Sequence, residues 1–500
     1  MLHQLYTALG MLDLTTVLTF LLVLIVSYII LNYFFTVQRV DIPGPTPWPI
    51  VGNLPHIAGA RDIGKRLLEF RKTYGDMVFL RFGPQPILVC FGYKLVREVL
   101  LVNGEKTKFR PSWMYLIKKL FPKVTGIFFS DGKTWSDGRK LTVVALKDFG
   151  VGKKTIDERI HEEVQYLVDE FSKNPQKPVD VLKVFPMATS NIISNIVFGS
   201  RFDYDDKDFK EMLYHIYFIF KSATIGAPEN FFPIIDKLKP WNTNTQVAGH
   251  LAAVRTYMRS RVDKERDSFD PNNIRNFIDL YLEQEGKPDS KISEDFLFQA
   301  IVDIYQAGTD TTPVTLAWCM LYMLKYPEVQ KKCRDEVMKV IGDGRFPSSK
   351  DKVSLPYVMA TIHEVQRLAA VAPAATPHAT LEDTYINGKL VPKQTVILCH
   401  LMSVLYDPNE WQEPEKFQPE RFLGEKGELI KHEAFCPFSM GPRTCIGQQL
   451  ASNEVFLFFT SFLQRFNFTT VNKDDCVSTD GEQTGVTRQP YPFEMCFKPI

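Results

Sequence analysis

The chain has 500 residues, 45% of them hydrophobic and 23% charged, with Lys+Arg 59 against Asp+Glu 58 and a formal net charge of +1. This is a globular composition, long enough for one large domain or two to three ordinary ones. Charge this even excludes a general affinity for nucleic acid or another polyanion, so any electrostatic docking must come from local patches.

The first element runs from Leu14 to Phe35 without a charged residue. As a helix at ~1.5 Å per residue it spans roughly 33 Å, enough for the hydrocarbon core of a bilayer. No Lys or Arg precedes it, whereas Arg39, Arg61, Lys65, Arg66, Arg71 and Lys72 follow. That asymmetry predicts an uncleaved anchor with the short N-terminus in the lumen and the body in the cytosol. The rest of the chain shows no second span of comparable length and apolarity. Next comes Pro43-Gly44-Pro45-Thr46-Pro47-Trp48-Pro49, extended and stiff. It reads equally as a plain linker or as a strut setting the angle between anchor and body. The organisation expected is therefore residues 1–35 as lumenal tip and transmembrane anchor, 36–55 as a Pro-rich hinge, and 56–500 as one body.

Asp76–Cys90 predicts two short strands around a Gly-Pro turn. Helical periodicity dominates from Trp135 to Ala300, as in Ile156–Phe171 and Leu251–Asp267, with loops at Phe269–Asn273 and Gly286–Ser290. Phe296–Leu324 predicts a long apolar helix, and Asp383–His400 a small β region turning at Asn387-Gly388. A loop after Pro419 leads to a final helix over Gly447–Phe466. No internal repeat or low-complexity tract occurs, so the body reads as mainly α with a minor β portion.

Eight cysteines are present: Cys90, Cys319, Cys333, Cys399, Cys436, Cys445, Cys476 and Cys496. None forms a C-x-x-C pair and they are too sparse for a disulfide scaffold, so reduced thiols are expected. Cys445 differs from the others. It follows Phe438-Ser439-Met440-Gly441-Pro442-Arg443-Thr444 and precedes Ile446-Gly447 and a helix. A helix N-terminus favours a thiolate, which predicts a lowered thiol pKa there.

The string Phe438–Gly447 resembles F-x-x-G-x-R-x-C-x-G, the haem loop of cytochrome P-450 enzymes. Glu364-Val365-Gln366-Arg367 is similar to that family's E-x-x-R helix, and Pro419-Glu420-Arg421-Phe422 supplies the third member of its Glu–Arg–Arg triad: Glu364, Arg367 and Arg421. Trp135 and Arg139 resemble the W-x-x-x-R element, and Pro377-His378 the Pro-His step. Ala307-Gly308-Thr309-Asp310-Thr311-Thr312 is similar to A-G-x-D/E-T-T. Its Gly, hydroxyl residues and following Pro313 weaken and kink a helix interior with no structural return. Ala307 and Gly308 are expected to leave room for a flat ligand.

The resemblance implies a cytochrome P-450 fold behind one transmembrane helix, with haem b as cofactor and Cys445 as the axial iron ligand. It implies Arg443, Trp135, Arg139 and His378 as partners of the haem propionates, Phe438, Gly441 and Gly447 as shaping the loop, and Thr311 and Asp310 as the catalytic pair delivering protons to dioxygen. It looks most like the animal microsomal family-two monooxygenases, acting on xenobiotics, fatty acids or steroids in the endoplasmic reticulum membrane. Electrons are then expected from NADPH through NADPH-cytochrome P-450 reductase, with cytochrome b5 as a second donor. Lys133, Arg139, Lys140, Lys426 and Lys431 are read as a basic docking patch. Ile304, Ala307 and Ala374 are read as substrate-pocket residues, within lining regions that include Met114–Phe129, Phe218–Phe232, Val371–Thr376 and Thr484–Val486. Ile42, Gln448 and Pro313 depart from the family pattern without touching these sites. A haem-thiolate isomerase or dehydratase acting on peroxides and a non-catalytic haem sensor are the alternative readings.

Overall fold

The computed structural model describes residues 14–37, 40–60, 62–123, 125–151, 154–223, 226–239, 242–285, 293–472, 477–483 and 485–500. Arg39, Arg61, Cys476, Thr484 and the Gly286–Ser290 loop lie outside them. The first helix, α1 (Leu14–Val37, 24 residues), carries no charge, and its large apolar side chains between Leu14 and Tyr28 are exposed.

A four-stranded sheet sits at one side of the body in the order β1 (Met77–Phe82), β2 (Gln85–Cys90), β7 (Val396–Cys399), β4 (His378–Ala379). β1 and β2 pair antiparallel through the turn at Gly83-Pro84, and β2 pairs in parallel with β7, which joins the two ends of the chain. The Pro-rich segment lies against this sheet. Phe79 N–H donates to Pro43 O at 2.8 Å, Asn53 Nδ2 donates to Pro45 O at 2.8 Å, and a Cβ on Gly44 would lie 2.1 Å from Phe79 O. From the buried Ile42 onward the segment is therefore held against the body.

Helices make up most of the remainder: α2 (Gly132–Asp148), α3 (Lys154–Lys173), α4 (Val181–Phe198), α5 (Lys207–Ser222), α6 (Thr243–Asp267), α7 (Glu294–Lys325), α8 (Pro356–Ala369) and α9 (Gln448–Arg465). α7 is the axis, 32 residues long and continuous through Pro313. Ser293 accepts from Phe296 N–H at 3.2 Å to cap it, and Glu294 and Asp295 face its positive end. α4 is a second apolar helix, shorter and less apolar than α1. Val181–Phe198 is long and apolar enough to cross a membrane, but 67% of it is buried, so its apolarity serves the core.

The α4–α7 contact also explains two residues of the central motif. A Cβ on Gly308 would lie 2.6 Å from Ile193 Cδ1, and Ser190 Oγ donates to Thr309 Oγ1 at 3.1 Å. Gly308 thus lets α4 approach on its Cβ side, while the glycine itself keeps exposure beside Ala307. Gly138 on α2 acts alike, since a Cβ there would meet the Phe296 ring at 2.0 Å. Two small sheets near the C-terminus, β3 (Val179–Asp180) with β11 (Glu494–Pro499) and β8 (Phe466–Thr470), and β9 (Gly481–Glu482) with β10 (Gln489–Pro490), have no counterpart in the sequence reading. β3, β9 and β10, at two residues each, are too short to show a period, whereas the expected Asn387-Gly388 turn joins β5 (Thr384–Ile386) to β6 (Lys389–Val391).

Candidate active site

The cysteine loop is built by backbone constraints. Gly441 has φ +79°, and a Cβ there would lie 1.9 Å from Leu100 O, so only glycine fits. Cys445 N–H donates to Phe438 O at 3.0 Å and Thr444 N–H to Gly441 O at 3.1 Å, which closes the loop under the start of α9. Cys445 is exposed to solvent although protein atoms crowd around it. Burial pushes its thiol up, and the Gly447 N–H and the Arg139 charge pull it down by less. The expected lowering is therefore corrected: desolvation outweighs the helix terminus, and a bound cation is needed to hold the thiolate.

On α7, every residue from Phe296 to Met323 is buried except Ala307, Gly308 and Thr311. Ala307 and Thr311 lie one turn apart on one face, so α7 is open there and closed elsewhere. Ile304 is buried one turn earlier and Ala374 is half-buried on the segment before β4. Thr311 Oγ1 donates to Ala307 O at 2.9 Å, which leaves its lone pairs to accept. Asp310 is buried, accepts from Thr487 Oγ1 at 2.8 Å, and burial pushes its carboxyl up to about 6. Thr487 was not anticipated, because nothing in its local sequence marks it.

A cationic cluster lies beside the loop. Arg443 donates to Lys108 O (2.9 Å), Ile127 O (3.4 Å), Ser130 O (2.7 Å) and Asp131 Oδ1 (2.6 Å), and its guanidinium stacks 3.8 Å from the Trp135 ring centroid. It is largely committed to protein acceptors and contributes charge more than free donors, a correction to its expected role. Arg110, missed in the sequence, is 4% exposed and donates to Phe128 O, Thr376 O and Pro377 O. Burial, with Arg443 beside it, lowers its pKa to about 9, and burial likewise lowers Arg443 to about 10. Arg139 reaches Thr444 O at 2.6 Å and is half-buried, so it belongs to this inner cluster and leaves the surface patch to Lys133, Lys140, Lys426 and Lys431. His378 Nδ1 lies 2.8 Å from Thr107 O, and burial beside Arg110 holds the ring neutral. A carbonyl only accepts, so the ring proton sits on Nδ1, and Nε2 donates only if the ring is protonated. The expected His378 donor is thus an acceptor until an anion raises it.

Asp303 anchors this region to α7. Its Oδ2 accepts from Ile127 N–H at 2.7 Å and Phe128 N–H at 3.2 Å, Oδ1 from Gln299 Nε2 at 2.8 Å, and burial pushes it up to about 6. On the other side, Glu364 and Arg367 are fully buried and meet bidentately at 2.7 and 2.8 Å. Arg421 Nε donates to Glu364 Oε1 at 3.0 Å, which completes the triad in space.

These residues fit haem. Arg110 and Arg443 share one carboxylate, Asp131, and Arg139 lies beside them on Thr444 O, so positive charge is left over for a dianion. Trp135 Nε1 is buried and has no hydrogen-bond partner, which an acceptor at this place would supply. Cys445, exposed on its loop, would offer its sulfur to the haem iron.

Comparison with known proteins agrees. The Cytochrome P450 family model matches residues 42–497. The chain is 37% identical over 465 residues to Cytochrome P450 2C8 of Homo sapiens (92% of this chain, 94% of the relative). It is 37% identical over 469 residues to Cytochrome P450 2C3 of Oryctolagus cuniculus (92% and 94%) and 36% identical over 464 residues to Cytochrome P450 2B2 of Rattus norvegicus (91% and 93%). With the cysteine loop, the arginine cluster and this match over most of its length, the chain belongs to the cytochrome P450 family and is a monooxygenase that uses haem iron.

Proposed function

We propose that this chain is an anchored haem-thiolate monooxygenase of the endoplasmic reticulum membrane that inserts one oxygen atom of O2 into an apolar substrate. Haem b bound through Cys445 would supply the activation of dioxygen. The observation that carries the reading is the acid–alcohol pair Asp310–Thr311 at the one open stretch of α7. A peroxide isomerase or a sensor has no use for proton delivery, so this pair favours the monooxygenase over both. Asp310, titrating near neutrality, takes a proton and passes it on, and Thr487 holds its carboxyl in place. Thr311, its own proton given to Ala307 O, accepts and orients the donor that follows. Trp135, Arg110, Arg139 and His378 hold the propionates, with Arg443 adding charge behind them. Ile304, Ala307 and Ala374 line an apolar approach for a xenobiotic, fatty acid or steroid.

Residues 1–35 act as lumenal tip and anchor, 36–55 as hinge and 56–500 as the catalytic domain facing the cytosol. The uncharged, exposed apolar α1 supports the anchor. NADPH-cytochrome P-450 reductase, assisted by cytochrome b5, would dock on the exposed Lys133, Lys140, Lys426 and Lys431.

Reconstitution with NADPH and the reductase tests the whole reading: NADPH consumption should track substrate oxidation. Turnover with an organic hydroperoxide alone, and none with NADPH, would overturn it. Asp310→Asn and Thr311→Ala are each expected to lower product formation by roughly 10²-fold. Asp310 is protonated below about 6 and delivers its proton in that form, so the wild-type rate should fall as pH rises through this value, and Asp310→Asn should remove that inflection from the pH profile. Arg110→Leu should weaken haem retention by roughly 10-fold to 100-fold, the worth of a charge-assisted hydrogen bond, read as haem transfer to an apo-globin acceptor.

A further inference from the structure

Two histidines far from the cysteine loop in sequence point at one spot. His215 on α5 and His250 on α6 bring their Nδ1 atoms to 2.7 Å, with ring centroids 4.9 Å apart and planes at 61°. Both are half-buried, so water reaches them. The His250 ring is fixed by stacking on Phe218 (4.0 Å, 24°) and by the edge of Tyr214 at 5.7 Å. His215 Nε2 faces Glu211 Oε1, one turn back on α5, at 3.7 Å.

We infer that His215 and His250 form a binding site for a late first-row divalent cation, Cu2+ in preference to Zn2+, that clamps α5 to α6. The two Nδ1 atoms meet from two different helices, a placement that periodicity along one helix does not produce. In the free protein one proton is shared between them; the cation takes its place. Metal–imidazole bonds of roughly 2.0–2.1 Å put cis nitrogens about 2.9 Å apart at right angles and about 3.3 Å apart in a tetrahedron. The 2.7 Å spacing lies nearer the first, the tetragonal arrangement that Cu2+ prefers, and the general order of divalent affinities also places Cu2+ above Zn2+. Glu211 behind Nε2 matches the carboxylate that sets the tautomer of a ligating imidazole. Among the described residues no group of three or more His, Cys, Asp or Glu side chains is placed to hold a metal, so water completes the coordination. Since α5 and α6 both contact α7, the clamp acts on the wall of the active-site helix.

Calorimetric titration of the full-length haem-loaded protein with Cu2+ alone, and separately with Zn2+, tests this. One Cu2+ site is expected, at least about tenfold tighter than for Zn2+. His215→Ala and His250→Ala should each weaken Cu2+ binding at least about tenfold, and Glu211→Gln by a smaller factor. His161→Ala, on α3, should leave it unchanged. His215→Gln and His250→Gln keep side-chain bulk and hydrogen bonding, and must lose the site as the alanine variants do. If Cu2+ binds the Gln variants as tightly as the wild type, the pair is a hydrogen bond only and the inference is wrong.

Discussion

Cys445→Ser is expected to abolish NADPH-driven turnover, by at least about a thousandfold or roughly 4 kcal/mol on the barrier, while the fold survives. A serine alcohol is a weak, mostly protonated ligand and supplies none of the electron density that thiolate sulfur gives the iron. Stability should change little, because Cys445 is exposed and the loop is closed by the backbone bonds of Phe438 and Gly441. Two measurements check this together. The ferrous carbonyl spectrum should lose the red-shifted Soret band of thiolate ligation, and the denaturant midpoint of the protein should stay near that of the wild type. Retained turnover, or an unchanged carbonyl spectrum, would mean that another residue holds the iron.

Glu364→Ala should act the opposite way, through stability alone. Glu364 accepts from Arg367 twice, from Arg421 Nε and from Gln418 N–H, all inside the protein. Arg367 is fully buried; its remaining bonds, to Leu405 O, Pro414 O and Lys416 O at 2.8, 2.7 and 3.3 Å, offer dipoles and no opposite charge. Removing the carboxylate strands that cation, at a cost of about 3–5 kcal/mol. The variant should accumulate poorly with haem and unfold at clearly lower denaturant, whereas turnover per bound haem in any surviving fraction should match the wild type. A loss of turnover with unchanged stability would instead place Glu364 in the chemistry. Glu364→Gln keeps part of the hydrogen bonding and should fall between.

The elements legible in the sequence are those whose signal is local. Phe438–Gly447 carries its constraints within one loop, where Gly441 is forced by its positive φ and the approach of Leu100 O. Glu364 and Arg367 are one helical turn apart, so their spacing already pairs them. The Asp76–Cys90 hairpin shows its alternation and its turn. Gly308 and Thr309 were read for chemistry because they break a helix rule, and the structure assigns them to α4 through Ile193 and Ser190. A weak helix position looks the same whether a ligand or another helix fills the space.

What the sequence by itself determined was the family and the charge-free N-terminal helix; the proposed iron ligand and acid–alcohol pair likewise rest on residues near one another in the chain. Only the tertiary structure decided the rest. Arg110 and Arg443 meet at Asp131 with Arg139 beside Arg443, and Thr487 meets Asp310, because packing brings together segments hundreds of residues apart. It also decided the state of the thiol at Cys445 and the imidazole at His378, because proton affinity depends on burial and on neighbouring charge, which no local spacing records.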